Sequence, residues 1–340
     1  MSIKPSKPGF SPPDRRASEL LDWAGDRIDC DVLEIETISS DASFRRYFRI
    51  AGNNRSRVVM DAPPQREALD AFVDIADRLA KAGLNVPEIL AEDRQRGFLL
   101  LGDLGSKPWH QVLDEHNCAS MFADAIRALI TMQTQTDVAG LPEYDAALLL
   151  SELSLFPDWF LARHWNVEPT ETELDDWEML CMTLIRWALD QPRVFVHRDF
   201  MPRNLMLAEP NPGILDFQDA VLGPISYDPV CLFRDAFLSW PPEHVDGWLE
   251  NYRRHALDAG LPVPADPQLW KRTCDLMGAQ RHLKVLGIFA RIRYRDGKPR
   301  YLQDASRFFS YLNNAIQRNP ELVLLERLLG AWRVRARFDD

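Results

Sequence analysis

His197-Arg198-Asp199-Phe200-Met201-Pro202-Arg203-Asn204 stands between two short apolar runs, Val194-Phe195-Val196 before it and Leu205-Met206-Leu207 after it. Both runs have the length and the flanking turn residues of strands. A Glu209-Pro210-Asn211-Pro212-Gly213 turn then leads into Ile214-Leu215, and Asp216 follows at the end of that strand. Polar side chains between such strands are confined to loops at one edge of a small β island, where functional groups gather. Asp199, Asn204 and Asp216 are the residues this arrangement brings forward.

On the N-terminal side the pattern is that of a sheet. Phe44-Arg45-Arg46-Tyr47-Phe48-Arg49-Ile50, the turn-formers Ala51 to Asn54 and then Arg57-Val58-Val59-Met60 suggest a β-hairpin. After Pro63-Pro64, Ala68, Phe72, Ile75, Ala76 and Leu79 fall at helical spacing, and Gly83 suits a helix C-terminus. Phe98 to Leu101 reads as a last buried strand that leads into a linker. On the C-terminal side Trp177, Leu180, Cys181, Leu184, Trp187 and Ala188 share a helix face. The organisation expected is an arm over 1–16, a sheet-bearing lobe over 17–103 and a mainly helical lobe over 104–340.

The 340 residues are 46% hydrophobic and 27% charged, an ordinary globular balance with no apolar run long enough to span a bilayer. Prolines and charges in the first sixteen residues leave no apolar core for a secretory signal. Five scattered cysteines without a CxxC pair argue against a disulfide framework or a zinc site, and a cytoplasmic location fits. The net charge of −11 disfavours nucleic acid as a partner.

The octapeptide has the form HRDxxxxN, and together with Asp216 it resembles the catalytic loop and metal-binding strand end of kinases. The chemistry accounts for the residue types. Phosphoryl transfer from ATP calls for Mg²⁺, a hard cation suited by the amide oxygen of Asn204 and the carboxylate of Asp216. Asp199 would align the acceptor hydroxyl and take its proton. The chain as a whole resembles the aminoglycoside phosphotransferase and choline kinase superfamily. That resemblance implies an α+β, bilobal, protein-kinase-like fold with a small β-rich N-lobe and a larger helical C-lobe. It further implies a helix-borne Glu67, an adenine-receiving hinge from Leu101 to Asp103, and a buried Asp228 that braces the catalytic loop.

Four strings carry a closer resemblance: SDASFRRYFRI (40–50), VVMDAPP (58–64), LDFQDAVLGPISYDP (215–229) and QRHLKVLGIFARIRYRDGK (280–298). They are similar to a bacterial family of amino-sugar kinases that act in peptidoglycan recycling. The family implies a small-molecule partner, N-acetylmuramate or N-acetylglucosamine, phosphorylated at the C1 hydroxyl. It implies a sugar 1-phosphate uridylyltransferase as the enzyme that takes the product.

Two features depart from ordinary kinases. Val58-Val59-Met60-Asp61 offers no strand cation to pair Glu67, and the glycine-rich phosphate loop is replaced by Ser39 to Arg46. Backbone N–H groups and hydroxyls around Ser43 and Phe44 could hold phosphate there, with Arg45 or Arg46 supplying the missing charge. These departures also leave open a non-catalytic scaffold. For the sugar, Arg234 and, at helical spacing, Arg281, Lys284 and Arg291 are candidates, apt for a lactyl carboxylate; surface cations over a face packed through Leu283, Leu286 and Ala290 are the alternative. Arg234 and Asp235 could instead simply form an ion pair. The acidic stretch Glu168–Glu178 leaves an aminoglycoside acceptor open, although helix N-termini favour acids in any case. Trp159, Trp165 and Trp177 read as core residues rather than sugar platforms.

Overall fold

In a computed structural model describing residues 14–28, 34–38, 45–52, 55–65 and 69–337, the chain forms two compact units. One is Met1–Trp109 with Asn204–Asp219; the other is His110–Arg203 with Ala220–Asp340.

The first unit opens with helix α1 (Arg15–Gly25), started by Asp14, whose side chain accepts the Ala17 N–H at 2.8 Å. The helix thus begins inside the stretch expected to be an arm, and its residues 17, 20, 21 and 24 are buried. Strands β1 (Glu34–Ile38), β2 (Arg46–Gly52) and β3 (Arg55–Asp61) precede helix α2 (Leu69–Lys81); β4 (Ile89–Asp93) and β5 (Phe98–Gly102) follow. All pair antiparallel in the order β1-β2-β3-β5-β4. The register Phe48↔Val59↔Leu100 puts Phe48, Ile50, Val59, Phe98 and Leu100 on one face, packed on α1. α2 ends as its spacing predicts, with Phe72, Ile75, Ala76 and Leu79 buried and Gly83 at φ +82°. Asn204–Asp219 folds on itself in a short ladder, Leu205–Met206 against Gly213–Ile214, and joins this unit through bridges of Gly213 to Asn85 and of Met206 to Pro108. Ile214 N–H also donates to Asn85 O at 2.7 Å.

The second unit carries α3 (Cys118–Gln135), α4 (Ala146–Leu153), a π-helical turn over Phe156–His164 and α5 (Glu171–Leu189). After the strand pair Arg193–Val196 and Val221–Pro224 come α6 (Tyr227–Phe233), α7 (Pro242–Asp258), α8 (Pro267–Asp296), α9 (Ala305–Arg318) and α10 (Val323–Arg335). α8 is the spine: every residue from Thr273 to Gly287 is buried. Gly287 permits its close approach to α4's exit, since a Cβ there would lie 2.3 Å from the Leu155 carbonyl carbon. Trp165 and Trp177 are buried in this core beside Phe156, Phe160 and Trp332, and Trp159 packs against it. Of the acids of 168–178, Glu171 and Glu173 lie in the first turn of α5, whose start is a capping box between Thr170 and Glu173, and Asp176 pairs with Arg327. No helix among the described residues is long and apolar enough to cross a membrane.

Candidate active site

The HRDxxxxN loop, the candidate catalytic loop, leaves strand Arg193–Val196 with His197 fully buried and Arg198 in the left-handed region, φ +75°. Asp228, on the first turn of α6 and itself fully buried, holds this bend. Its Oδ2 accepts the His197 N–H at 2.7 Å and its Oδ1 the Arg198 N–H at 3.0 Å. Burial pushes the Asp228 carboxyl up to about 7, against the pull of the two N–H bonds, and the charge of Asp199 adds to the rise. Asp199 N–H in turn lies 3.3 Å from Nδ1 of His197. The bracing expected of Asp228 is therefore visible as two backbone hydrogen bonds.

Asn204 and Asp216 belong to the sheet unit, Asp199 to the helical one. Within the sheet unit the two metal candidates meet: Asn204 Nδ2 donates to Asp216 Oδ2 at 3.3 Å. Leu215 N–H donates to Asn204 O at 2.9 Å, which pins the asparagine to the strand that ends at Asp216. Asp216 adopts φ +64° and also accepts from Gln218 Nε2 at 3.0 Å.

Of the nucleotide candidates, Ser43 and Phe44 lie outside the described residues, as does Glu67. Arg45 is buried. Arg46 spends its guanidinium on Asp61 (Nη2–Oδ2 2.5 Å) and on Asp14. The segment Val58-Val59-Met60-Asp61, which carries no cation, thus ends on a fully buried acid bound by two arginines, the second being Arg16 at 2.7 Å. Leu101 is buried in β5. Asp103 takes Arg49 Nε at 2.8 Å, the Ser56 hydroxyl and the Gly105 N–H at 2.9 Å. Burial raises its carboxyl, but Arg49 and Ser56 outweigh this and hold it below its ordinary value.

Of the sugar candidates, Arg234, Arg281 and Lys284 are interior groups, not surface cations. Arg234 pairs with Asp275 at 2.5 Å and donates to Cys274 O at 3.0 Å. Arg281, 2% exposed, donates from Nη1 to Arg234 O at 3.3 Å. Lys284 binds Glu152 at 2.8 Å and the Tyr227 hydroxyl at 3.0 Å. Burial opposes its charge, yet Tyr227 and Glu152 prevail and hold its ammonium above the ordinary lysine value. Arg291 is half-buried, and burial lowers its guanidinium. Leu283, Leu286 and Ala290 are buried as well, so α8 has no exposed cationic face here. Sequence reasoning missed Glu152, though a single acid in Ala146-Ala147-Leu148-Leu149-Leu150-Ser151-Glu152-Leu153 is itself a signal of a buried charge.

Known proteins align with this arrangement. An N-acetylmuramate/N-acetylglucosamine kinase of Pseudomonas aeruginosa is 56% identical over 299 residues, covering 88% of each chain. An ADP-bound aminoglycoside phosphotransferase superposes with a TM-score of 0.58 at 15% identity, covering 87% of this chain and 98% of that one. A choline kinase of Streptococcus pneumoniae does so with 0.56 at 15%, covering 83% and 94%. These two likenesses bear on the fold alone, and they bear out the α+β, protein-kinase-like architecture. A family match over residues 34–269 takes in the catalytic loop, Asp216 and Asp228 together, and the chain belongs to the phosphotransferase enzyme family.

Proposed function

We propose that the chain is an ATP-dependent kinase of the C1 hydroxyl of N-acetylmuramate and N-acetylglucosamine. The observation that carries this reading is the 56% identity, over most of both chains, to a kinase named for these two sugars. Asp199, set by the Asp228-braced bend, takes the proton of the acceptor hydroxyl as the γ-phosphoryl group of ATP transfers. An anomeric hydroxyl is more acidic than an ordinary alcohol, so a plain carboxylate suffices as base.

The donor set of Asn204 and Asp216 suits Mg²⁺. Asn204 turns its amide nitrogen to Asp216, so its oxygen is the atom that would meet a hard cation beside the carboxylate. Bound there, Mg²⁺ would neutralise charge on the phosphate oxygens. Leu101 to Asp103 receive adenine through the chain, and Ser43, Phe44 and Arg45 meet the phosphates. Arg234 and Lys284 are engaged by Asp275 and Glu152, whereas the Arg281 guanidinium makes one hydrogen bond among the described residues. Arg281 is therefore the candidate for a lactyl carboxylate. The reaction belongs in the cytoplasm, where a uridylyltransferase would consume the sugar 1-phosphate.

The test is incubation with ATP, Mg²⁺ and each sugar, with the phosphorylated carbon identified by NMR. A C1 phosphate is expected. ATP consumption with neither sugar, or a phosphate on another carbon, overturns the reading.

A further inference from the structure

Glu152, on α4, carries a charge into the interior of the helical unit and is 5% exposed. Its carboxylate is saturated by donors from three separate segments. Oε1 takes Arg198 Nη2 at 2.6 Å and Lys284 Nζ at 2.8 Å. Oε2 takes Gln280 Nε2 at 3.1 Å and the Tyr144 hydroxyl. One carboxylate therefore faces a buried lysine and a part-buried arginine, and burial, which would raise it, is outweighed by Lys284 and Arg198. A carboxylate so placed is costly to keep unless the cations need it.

Arg198 is the residue directly before Asp199 and sits at φ +75°. A side chain holds that conformation only where its surroundings over-determine it. Those surroundings are in place. Its N–H goes to Asp228, its carbonyl receives Cys231 Sγ at 3.5 Å, and its guanidinium lies 5.6 Å over the Tyr144 ring and on Glu152. The peptide plane at Arg198 sets where the Asp199 carboxylate points. We infer that Glu152 is a positioning residue for Asp199: it cancels one of the two cations under the catalytic loop and holds Arg198 in the bend that aims the base. The inference rests on the kinase reading above.

The experiment is steady-state kinetics of the full chain with ATP, Mg²⁺ and N-acetylglucosamine. Glu152→Gln, which keeps the shape and removes the charge, is expected to lower kcat by about 10- to 100-fold, the scale of a misaimed reacting group, with both KM values within about threefold. Lys284→Met added to it restores charge balance and is expected to raise kcat above that of the single variant by about threefold or more. A packing role predicts the opposite sign, because the second substitution then only adds damage. The inference is overturned if Glu152→Gln keeps kcat within about twofold, if its loss lies in KM, or if the double variant is slower than the single one. Should Glu152→Gln not fold, Glu152→Asp decides. It keeps the charge but cannot reach Arg198 in the same place, so kcat falls by about tenfold at unchanged KM, and an unchanged kcat overturns the inference. Wild type is assayed first: inactivity on both sugars rejects the function reading, and the same ratios are then read on intrinsic ATP hydrolysis.

Discussion

Asp199 is placed by hydrogen bonds to the backbone around it, so its removal should cost chemistry and not nucleotide binding. Asp199→Asn is expected to lower kcat by about 10² to 10⁴, the range for a general base, while KM for ATP moves by less than about threefold. A parallel loss of ATP affinity would count against that role. Asp228 makes a thermodynamic prediction. Its folded pKa of about 7 exceeds the ordinary 3.8, so the fold favours its protonated form. Its contribution is complete below about pH 4 and is lost as pH rises toward 7. Asp228→Asn lacks this titration. The stability gap between wild type and that variant should therefore narrow by about 3 kcal/mol between pH 5 and pH 8, at roughly 1.4 kcal/mol per pH unit. Denaturant unfolding at both pH values checks it, and a gap that widens with pH contradicts the assignment. The candidacy of Asp199, Asn204 and Asp216 was legible because the chemistry proposed for them dictates their spacing. Asp61 was not, since nothing in Val58-Val59-Met60-Asp61 announces that Arg16 and Arg46 will converge on it.

At the scale of the element, α8 is the instructive case. Its sequence reads as cations on one side and apolar residues on another, which suggests a half-exposed helix. From Thr273 to Gly287 both sides are buried, because α5, α6 and α9 and the turn at Phe156–His164 surround the helix. The Lys284 ammonium inside is met by Glu152 of α4, and the helix's own Asp275 meets Arg234 from the end of α6. Periodicity reports which residues share a face and says nothing of what covers that face. Gly287 is a consequence of this crowding. Gly287→Ala puts a methyl group against the Leu155 backbone, which cannot give way as a flexible side chain could. A loss of about 3 kcal/mol is expected, at the upper end for overpacking, measured by chemical unfolding. Gly247, within α7, has nothing near its Cβ position, and Gly247→Ala is the control that should not destabilise.

For the whole molecule, nucleotide binding is a stability term. ATP with Mg²⁺ at a hundred times its Kd should add about 2.7 kcal/mol to the stability of the protein by mass action, read as a rise in Tm. Asp216→Ala should abolish the part of that rise that depends on Mg²⁺, and an unchanged Mg²⁺-dependent shift would refute the metal assignment.

The sequence by itself determined the reaction class and the order of sheet and helices, and its motif spacing singled out Asp199, Asn204 and Asp216 as candidates. It could do so because strands, turns and catalytic loops are local, and their periods and spacings are written along the chain. Only the tertiary structure decided how the buried charges are matched: Arg46 with Asp61, Arg234 with Asp275, and Arg198 and Lys284 with Glu152. Those pairs join residues between 15 and 132 positions apart. A desolvated charge takes whichever partner the packing brings within about 3 Å, and sequence order does not encode that proximity.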